Sequence, residues 1–336
     1  MSKKPCYILG IESSCDETSA AVLKDDRVLS NIIANQEIHK KFNGVVPELA
    51  SREHQKNIIP VVIEALNKAS IEKEDLDAVA YTFGPGLLGS LLIGSSFAKS
   101  LSIGLKIPII AVNHMQAHLL CHFIDQNIEK PDFPFIGVTL SGGHTQIIIV
   151  KNFFDMKLIG STLDDAIGEA YDKCGRLMGL DYPSGPLIDK LSKNGNNSRF
   201  KFPLPKVDGL NVSYSGVKTS FLNFLSQKSK PFIEENLVDL CASIQTTLNK
   251  IIINKIVLAT QKFNIKTVVI GGGVACNSNL RDELLNLSIK KEIKVHLPIK
   301  EYTTDNAAMI GIVGYLKFKE KIFSTISQEV KSKLTF

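Results

Sequence analysis

The segment HMQAHLLCH, residues 114–122, holds three of the chain's seven histidines at four-residue spacing. On a helix, side chains at positions i and i+4 lie on one face about one turn apart, so two imidazoles can bind one metal ion. His114 and His122 would be separated by roughly 12 Å of helical rise, whereas a metal–nitrogen bond is about 2 Å long. The spacing therefore allows at most one adjacent pair to share an ion. The alternative is that all three are ordinary helix histidines that bind no metal.

Two histidines four residues apart also occur in the HExxH motif of zinc proteases. There a Glu directly follows the first His and acts as the general base. Met115 stands at that position in this chain, and a thioether cannot take a proton from water. Proteolysis by this segment would therefore lack its base.

The stretch EYTTDNAAMIG places Asp305 at the start of a predicted helix. An Asp at this position is either a helix cap or the oxygen ligand that a two-histidine site still needs. Two histidines and one carboxylate with open positions favour ferrous iron, with zinc as the second choice.

Three turns carry residues that could meet a substrate. In LSGGHTQ (140–146), the Ser-Gly-Gly backbone either approaches an anion or makes a simple hairpin turn. The acidic turn ESSCDET (12–18) could orient a metal or accept a proton, although most such turns are only solvated. In VVIGGGVACNSN (268–279), a strand ends in three glycines before a helix, which brings backbone close to a nucleotide or merely satisfies a tight turn.

Alternating β-rich and helical runs position these motifs. Three predicted strands, CYILGIES, SAAVLK and RVLSNIIA, come first, and further β/α elements lead to the histidine helix. A similar order starts again at PFIGVTLSGGHTQIIIVK, which indicates an α/β chain with a duplicated architecture. The segment SKNGNNSRFKFPLPKVDGLNVSYSG is predicted to be a long surface loop.

Composition sets broader limits. A chain of 336 residues with 44% hydrophobic and 22% charged residues is typical of a globular protein with two domains. The six scattered cysteines form no CxxC pair, so we expect neither disulfides nor a cysteine-based zinc site. The longest apolar run is interrupted by Lys99, and the N-terminus lacks the apolar core of a signal peptide, so we expect a cytoplasmic protein without a membrane partner.

Several motifs together are specific to one family. Over nearly its whole length, the sequence resembles the bacterial TsaD family, the tRNA adenosine threonylcarbamoyltransferases formerly named O-sialoglycoprotein endopeptidases. The segments that carry the resemblance are GIESSCDETSAAV, GVVPELASREH, FGPGLLGSLLIG, KSLSIGLKIPIIAVNHMQAHL, LSGGHTQ, EAYDKCGRLMGLDYPSGP, SYSGVKT, GGGVACNSNLR and TDNAAMI.

The resemblance implies the actin/hexokinase-type ATPase fold, an α/β architecture of two RNase H-like lobes with a nucleotide cleft between them. The expected lobes are residues 1–130, with 305–336 packing back on them, and residues 131–304. The resemblance also implies a metal ion held by His114, His118 and Asp305, and no such role for His122. The implied substrate-binding residues are Leu140, Ser141, Gly142, Gly143, His144, Asp172, Gly185, Asp189 and Asn277.

One position departs from the family pattern. DYPSGP carries Ser184 where family members commonly have Gly. If that position needs a positive φ, Ser would be strained, and we expect the loop to bend slightly rather than lose function.

The implied reaction moves a threonylcarbamoyl group from threonylcarbamoyl-AMP to N6 of the adenosine 3′ of the anticodon, in tRNAs that read codons starting with A. AMP leaves, and we hypothesise that Asp16 or Glu17 accepts the amine proton. One Fe²⁺ per subunit is expected, with Zn²⁺ as the alternative. The rival functions are a glycoprotease-type metalloprotease and a sugar kinase or ATPase of the same fold.

The resemblance also implies macromolecular partners: tRNA, a TsaB-type paralogue and a TsaE-type ATPase. The apolar helix from Leu87 to Leu105 is either the paralogue contact or a buried core helix. Two groups of lysines either contact tRNA phosphates or form solvated basic faces, namely Lys201, Lys206, Lys218, Lys228 and Lys230, and Lys317, Lys319 and Lys321.

Overall fold

A computed structural model describes residues 4–42, 44–125 and 127–336. The chain divides into two units. Unit 1 comprises Met1–Lys130 and Thr304–Phe336, and unit 2 comprises Pro131–Thr303. The C-terminal segment therefore belongs to the same unit as the N-terminal half.

The strands are β1 (Tyr7–Glu12), β2 (Thr18–Lys24), β3 (Arg27–Ala34), β4 (Ala78–Gly84), β5 (Ile109–Asn113), β6 (Phe135–Leu140), β7 (Thr145–Val150), β8 (Met156–Ser161), β9 (Thr267–Gly271) and β10 (Lys294–His296). The α-helices are α1 (Pro47–Ala69), α2 (Leu88–Leu105), α3 (His114–Leu120), α4 (Ile167–Leu177), α5 (Ser184–Ser192), α6 (Ser215–Ser226), α7 (Lys230–Glu235), α8 (Leu237–Phe263), α9 (Ser278–Lys291) and α10 (Ala307–Lys319).

Each unit is built on a five-stranded sheet, and the two sheets share one topology. The strand order is β3-β2-β1-β4-β5 in unit 1 and β10-β9-β6-β7-β8 in unit 2. In both, the first three strands of the unit form an antiparallel meander, and the first strand pairs in parallel with the fourth. The duplicated architecture predicted from the order of elements is confirmed.

The sheet of unit 1 carries helices on both faces. Leu9, Ile11 and Tyr81 point to one face and pack with buried residues of α1 and α2. Because successive side chains of a strand point to opposite faces, Gly10 and Ala80 belong to the other face, where α10 lies. The carboxyl ends of the parallel strands β1, β4 and β5 share one edge of this sheet.

Helix α10 lies almost directly on the backbone of β1 and β4. A Cβ atom on Gly10 would be 2.4 Å from the carbonyl oxygen of Ala307 and 2.7 Å from the Gly311 nitrogen. A Cβ on Gly314 would be 2.5 Å from Ala80 Cβ. Because Gly10 and Gly314 lack a Cβ that could hold the layers apart, the N-terminus of α10 comes close to the end of β1.

Among the described residues, one helix, α2, is long and apolar enough to cross a membrane by length and composition alone. It packs against α1 and β4 as a core helix does, and Leu91 and Ala98 are fully buried. Lys99 Nζ, near its middle, donates to the Gln328 carbonyl at 2.6 Å. One face of α2 therefore packs in the core of unit 1, and the opposite face is exposed.

The long helix α8 forms the centre of unit 2. Its buried residues, including Leu240, Ile244 and Ile252, join those of β6 and β9 in one cluster. The segment after α5 has no regular structure until α6, as predicted, but Leu210, Val212 and Tyr214 anchor its end in this core.

Two helices of unit 2 differ from the sequence prediction. Helix α7 follows a Ser229 cap, and α5 begins inside DYPSGP, where Pro and Gly indicate a loop. The α5 start is stabilised from elsewhere, because Asp172 Oδ1 accepts hydrogen bonds from the Ser184 and Gly185 amides at 2.7 and 3.3 Å. A cap supplied by another helix has no local sequence signal.

Ser184 is the first residue of α5 and does not have a positive φ, so the strain considered for this position does not arise. Its side chain occupies the space left by Gly175 of α4, where a Cβ would come 2.1 Å from Ser184 Cβ. Its hydroxyl donates to the Asp181 carbonyl at 2.9 Å.

The contact between α10 and β1 predicts a clear stability difference between two glycines of unit 1. We expect Gly10→Ala to lower the free energy of unfolding by about 1–3 kcal/mol, because the new methyl group meets backbone atoms. Gly104→Ala in α2 meets nothing within 4 Å and should be neutral or stabilising. Chemical denaturation of both variants tests this, and equal midpoints would contradict the packing.

Candidate metal centre and substrate-binding turns

Unit 1 brings two histidines and a carboxylate to one point. Suitable ligand atoms of His114, His118 and Asp305 all lie within 4.8 Å of one another. Asp305 Oδ1 is 3.4 Å from His114 Nε2 and 3.2 Å from His118 Nε2. Two ligands bound to one ion at about 2.1 Å lie about 3.0–3.4 Å apart, so these separations fit a common metal ion.

The state of His118 supports a ligand at this point. Its side chain is fully buried, yet neither ring nitrogen makes a hydrogen bond of acceptable geometry with any described residue. The proximity of Nε2 to Asp305 is therefore a close approach rather than an aligned hydrogen bond. A buried imidazole without hydrogen bonds is unfavourable, and a metal ion is a natural partner for it.

Local structure positions each of the three residues. His114 begins α3 directly after β5, and the Asn113 side chain caps the helix by accepting from the Met115 and Gln116 amides. His118 follows one turn later, with its ring centroid 4.7 Å from that of His114.

Asp305 is held at the N-terminus of α10. Its neighbour Asn306 caps the helix by accepting from the Met309 amide, and the Ala307 amide donates to Ser19 Oγ at 2.9 Å. The Asp305 side chain is 21% exposed, whereas those of the two histidines are nearly or fully buried. An ion bound here would thus be reached from the Asp305 side.

Behind the three residues lies Glu12, which the sequence analysis included only as the first residue of the acidic turn. Its fully buried carboxylate accepts from Thr82 Oγ1 at 2.6 Å and from the Ser14 amide, and it lies 3.0 Å from His114 Nδ1. Burial opposes ionisation of Glu12, but the charge and hydrogen bond of His114 outweigh it and lower the pKa of Glu12. A carboxylate behind a metal-binding imidazole is the usual way to fix its tautomer.

That contact prepares His114 to bind a metal through Nε2. With Nδ1 directed at Glu12, Nδ1 keeps its proton, and Nε2, which faces Asp305, is the nitrogen that can bind an ion once its own proton is lost. Burial alone would lower the pKa of His114, but Glu12 and Asp305 raise it well above its ordinary value. A bound cation must therefore displace a proton, and its affinity should weaken as the pH falls.

The turn between β1 and β2 carries Asp16 and Glu17, the predicted proton acceptors. Burial, followed by the charges of Asp305 and Asp16, raises the pKa of Glu17 well above its ordinary value. Such a carboxyl holds its proton until a nearby cation offsets the negative charge. The acidic turn therefore lies close enough to Asp305 to be coupled to it electrostatically.

Unit 2 contains the remaining predicted residues. Leu140 ends β6, and the turn Ser141–His144 is closed by a hydrogen bond from the Ser141 amide to the His144 carbonyl at 2.8 Å. Gly142 and Gly143 are exposed, and a Cβ on either would meet nothing within 4 Å. The Gly168 amide, in the first turn of α4, donates to the Ser141 carbonyl at 3.2 Å. This arrangement leaves the backbone of the two glycines accessible.

A second glycine turn packs against the first. Gly272 has φ +92°, and a Cβ on it would be 2.4 Å from the Leu140 carbonyl oxygen. Because β6 and β9 run parallel, both turns emerge at the carboxyl edge of the sheet, where ligands of open α/β sheets commonly bind.

Asp172, Asp189 and Asn277 organise the helix starts of unit 2. Asp172 caps α5 from α4, and burial raises its pKa despite the two amide hydrogen bonds. Asp189 Oδ1 accepts from the Ser278 amide and hydroxyl at 3.0 and 2.9 Å. Asn277 caps α9 by accepting from the Leu280 amide at 2.8 Å.

Two polar residues of α8 that the sequence analysis missed hold Asn277 in place. Gln245 Oε1 accepts from Asn277 Nδ2 at 2.6 Å, and Asn249 Nδ2 donates to Asn277 Oδ1 at 3.1 Å. Both are buried polar residues of a core helix, and two large amides one turn apart among Ile244, Leu248 and Ile252 were the available signal.

The predicted residues thus form one group in each unit. Unit 1 gathers His114, His118 and Asp305 near the acidic turn. In unit 2 the two glycine turns share one sheet edge, Asp189 is bonded to Ser278 beside Asn277, and Asp172 is bonded to the Gly185 amide. His122 lies beyond α3 in a 3-10 turn, Cys121–Phe123, and is not part of the metal-type cluster among the described residues.

The cluster predicts a metal-binding contrast between neighbouring histidines. We expect His118→Ala and Asp305→Asn to lose about one bound iron or zinc per chain, because each removes one of three ligands. His122→Ala should retain the metal and serves as the matched control. Metal analysis by plasma mass spectrometry after gel filtration measures this, and equal metal content in all variants would place the site elsewhere.

Comparison with known proteins shows the family to which the chain belongs. A protein-family model, TsaD: tRNA N6-adenosine threonylcarbamoyltransferase, matches residues 27–312. The relative with that name in Christiangramia forsetii is 54% identical over 340 residues and covers all of both chains. The relative in Porphyromonas gingivalis is 50% identical, and the match covers 99% of each chain. The relative in Thermosipho africanus is 46% identical, and the match covers 96% of this chain and 97% of the relative.

Solved structures of lower identity show the fold. A full-length HypF structure aligns with 95% of this chain and 56% of its own, at 14% identity and a TM-score of 0.62. The ROK hexokinase from Thermus thermophilus aligns with 94% of this chain and 99% of its own, at 13% identity and a TM-score of 0.52. The fold is thus of the actin/hexokinase ATPase type, and the chain belongs to the TsaD family of tRNA N6-adenosine threonylcarbamoyltransferases.

Proposed function

We propose that this chain transfers the threonylcarbamoyl group of threonylcarbamoyl-AMP to N6 of the adenosine 3′ of the anticodon, in tRNAs that read codons starting with A. AMP is the leaving group. The observation that carries the proposal is the buried cluster of His114, His118 and Asp305 in a chain of this family. The relatives' names do not favour a protease or a kinase, and Met115, at the position of a protease base, is buried.

The cluster suits one divalent ion per chain, with Fe²⁺ as the first choice and Zn²⁺ as the second. Two imidazoles and one carboxylate with open positions are the ligand set of many ferrous sites. When bound, the ion would polarise oxygen atoms of the donor as a Lewis acid. Glu12 would fix the His114 tautomer, which keeps Nε2 available to the ion.

The chain's own acidic turn would manage the proton. An exocyclic amine that attacks a carbonyl carbon must lose a proton as the new C–N bond forms and the bond to AMP breaks. Asp16 or Glu17 would accept that proton. A cation at the neighbouring cluster would lower the pKa of Glu17 towards its ordinary value and make it available as a base.

The turns of unit 2 would bind the adenylate part of the donor. The accessible Gly142 and Gly143 backbone can approach a phosphate closely, since no side chain stands in the way. Leu140, Ser141 and His144 would complete this turn. Asp172 of α4, Gly185 and Asp189 of α5, and Asn277 directly before α9 would supply polar groups for the nucleoside.

The surroundings of the lysines reduce the number of them that we propose as tRNA contacts. Lys218 is paired with Asp165 at 3.0 Å, and Lys317 donates to the Ala111 carbonyl, with its pKa lowered to about 8 by burial. Lys201 and Lys206 are exposed on the irregular segment before α6. We favour these two as phosphate contacts, because an exposed ammonium can neutralise a phosphate.

The exposed faces of α1 and α2 would bind the TsaB-type paralogue. Five large apolar side chains on the two packed helices are 47–59% exposed: Ile59, Ile63, Leu88, Leu92 and Ile103. Their spacing of mostly four residues places them on one face of each helix. Several large exposed apolar side chains on two packed helices support a protein interface here. The TsaE-type ATPase and a cytoplasmic location are proposed from family resemblance.

Reconstitution tests the reaction and the acidic turn together. Threonine, bicarbonate, ATP, the adenylate-forming enzyme, the partner proteins and unmodified tRNA should yield threonylcarbamoyladenosine, detected by mass spectrometry of nucleosides. Asp16→Asn should retain metal and adenylate binding but lose transfer by about 100-fold or more, as expected for loss of a general base.

The matched control is Asp155→Asn, which changes an exposed carboxylate paired with Lys151. It should transfer at the wild-type rate. Unchanged single-turnover transfer by Asp16→Asn would exclude that residue, and no modified nucleoside from the wild-type chain would refute the proposed function.

The helix face predicts a selective loss of paralogue binding. Ile63→Lys should abolish the complex in analytical ultracentrifugation, because it buries an unpaired charge, while the isolated chain keeps its unfolding midpoint. Leu222→Lys on α6, similarly exposed at 45%, should leave the complex intact. A complex that survives Ile63→Lys would remove this face from the interface.

A further inference from the structure

One buried polar residue of α1 has no role in the function described so far. His54 is fully buried, whereas the other buried positions of this helix are Ala, Ile and Val: Ala50, Ile58, Val61, Val62 and Ala65. Burying an imidazole among apolar neighbours is costly unless both ring nitrogens are hydrogen-bonded. The partners of those nitrogens therefore indicate what the residue is for.

Both nitrogens of His54 bind the turn between β1 and β2. Nε2 lies 2.9 Å from the Cys15 carbonyl oxygen, and Nδ1 lies 2.8 Å from Thr18 Oγ1. A carbonyl can only accept, so Nε2 carries the proton and donates it. Burial lowers the pKa of His54, which favours the neutral ring, and the neutral Nδ1 accepts from the Thr18 hydroxyl.

These two partners directly flank Asp16 and Glu17. Cys15 precedes the acidic pair, and Thr18, the first residue of β2, follows it. Ser90 Oγ adds a hydrogen bond of 3.2 Å to the Cys15 carbonyl, and the Leu87 amide donates to the Ser14 carbonyl at 2.7 Å. The imidazole thus bridges both ends of the acidic dipeptide, while α2 holds the side before it.

The turn has an electrostatic reason to need such a bridge. Burial and the charges of Asp305, Asp16 and Glu12 raise the pKa of Glu17, so negative charge is concentrated around this turn. Without a restraint, the turn would relax by moving the acidic pair away from Asp305. A rigid ring bonded on both sides opposes this movement without adding charge.

We propose that His54 is a positioning residue, which holds Asp16 and Glu17 at the reacting amine without contacting the substrate. The proposal rests on the proposed function, in which one of these carboxylates accepts the amine proton. A displacement of about 1 Å in a reacting group can cost on the order of 100-fold in rate. Loss of the bridge should therefore lower kcat much more than it changes the affinity for donor or metal.

The test uses the reconstituted system and single-turnover transfer. His54→Phe, which keeps the ring volume but neither hydrogen bond, should lower kcat roughly 10- to 100-fold. The KM for threonylcarbamoyl-AMP and the metal content should stay within about twofold. His54→Gln should recover most of the rate, since its amide can still donate to the Cys15 carbonyl.

His39→Phe is the matched control, because His39 is also a buried histidine of unit 1 but bonds to Gln36 and the Val46 amide instead. It should keep kcat despite a similar loss of stability. Wild-type rates in His54→Phe, or equal losses of kcat in both Phe variants, would overturn the proposal. Absence of transfer by the wild-type chain would instead refute the proposed function.

Thr18→Val supplies a second measurement that does not depend on removing the ring. It should lower kcat by itself and add little to the effect of His54→Phe, because both changes break the same bridge. Fully multiplicative effects of the two changes would show that His54 and Thr18 act independently and would contradict the bridge.

Discussion

The contact between α10 and the sheet of unit 1 is the constraint on which the candidate metal centre depends. Asp305 is separated from the two histidines by nearly two hundred residues of chain, yet its carboxylate lies within 3.4 Å of both imidazoles. This approach depends on Gly10 and Gly314, because a methyl group at Gly10 would collide with the backbone of α10 and one at Gly314 with Ala80 of β4. The hydrogen bond from the Ala307 amide to Ser19 then fixes how far the helix start projects.

The packing of α10 on the sheet also brings together charged groups that a bound cation would balance. The pKa values of Glu12 and Asp305 are lowered and that of His114 is raised, so one imidazolium faces two carboxylates, while the raised pKa of Glu17 keeps that group protonated. Opposing pKa shifts, raised for Glu17 and lowered for Asp305, arise from this shared charge. A divalent cation would restore balance, satisfy His118 and free the acidic turn to take up a proton.

Much of the fold could be predicted from the sequence, because its signals are local. Strands are indicated by alternating apolar residues, helices by apolar residues at helical spacing, and the ends of both by Gly or Pro. The repeated order of these elements indicates the duplicated units. Helix α5 could not be predicted in this way. Its N-terminal amides are capped by Asp172, a residue of another helix, so Pro183 and Gly185 look like loop residues in isolation.

The candidate site, like the fold, could be predicted only where the sequence signal is local. Histidine spacing and an Asp before a helix suggested the ligand set, and family resemblance chose the pair. Glu12 was indicated only as the first residue of the acidic turn, and His54 looks like a core histidine, so the sequence predicted no individual role for either. Their roles depend on partners that are distant in sequence, Thr82 and His114 for Glu12, and Cys15 and Thr18 for His54.

The most direct measurement is an anomalous-difference map from crystals of the purified chain, recorded on both sides of the iron and zinc absorption edges. The account predicts one strong peak about 2.0–2.3 Å from His114 Nε2, His118 Nε2 and an Asp305 carboxylate oxygen. A peak bound by other residues, or no peak in crystals soaked with either metal, would contradict it.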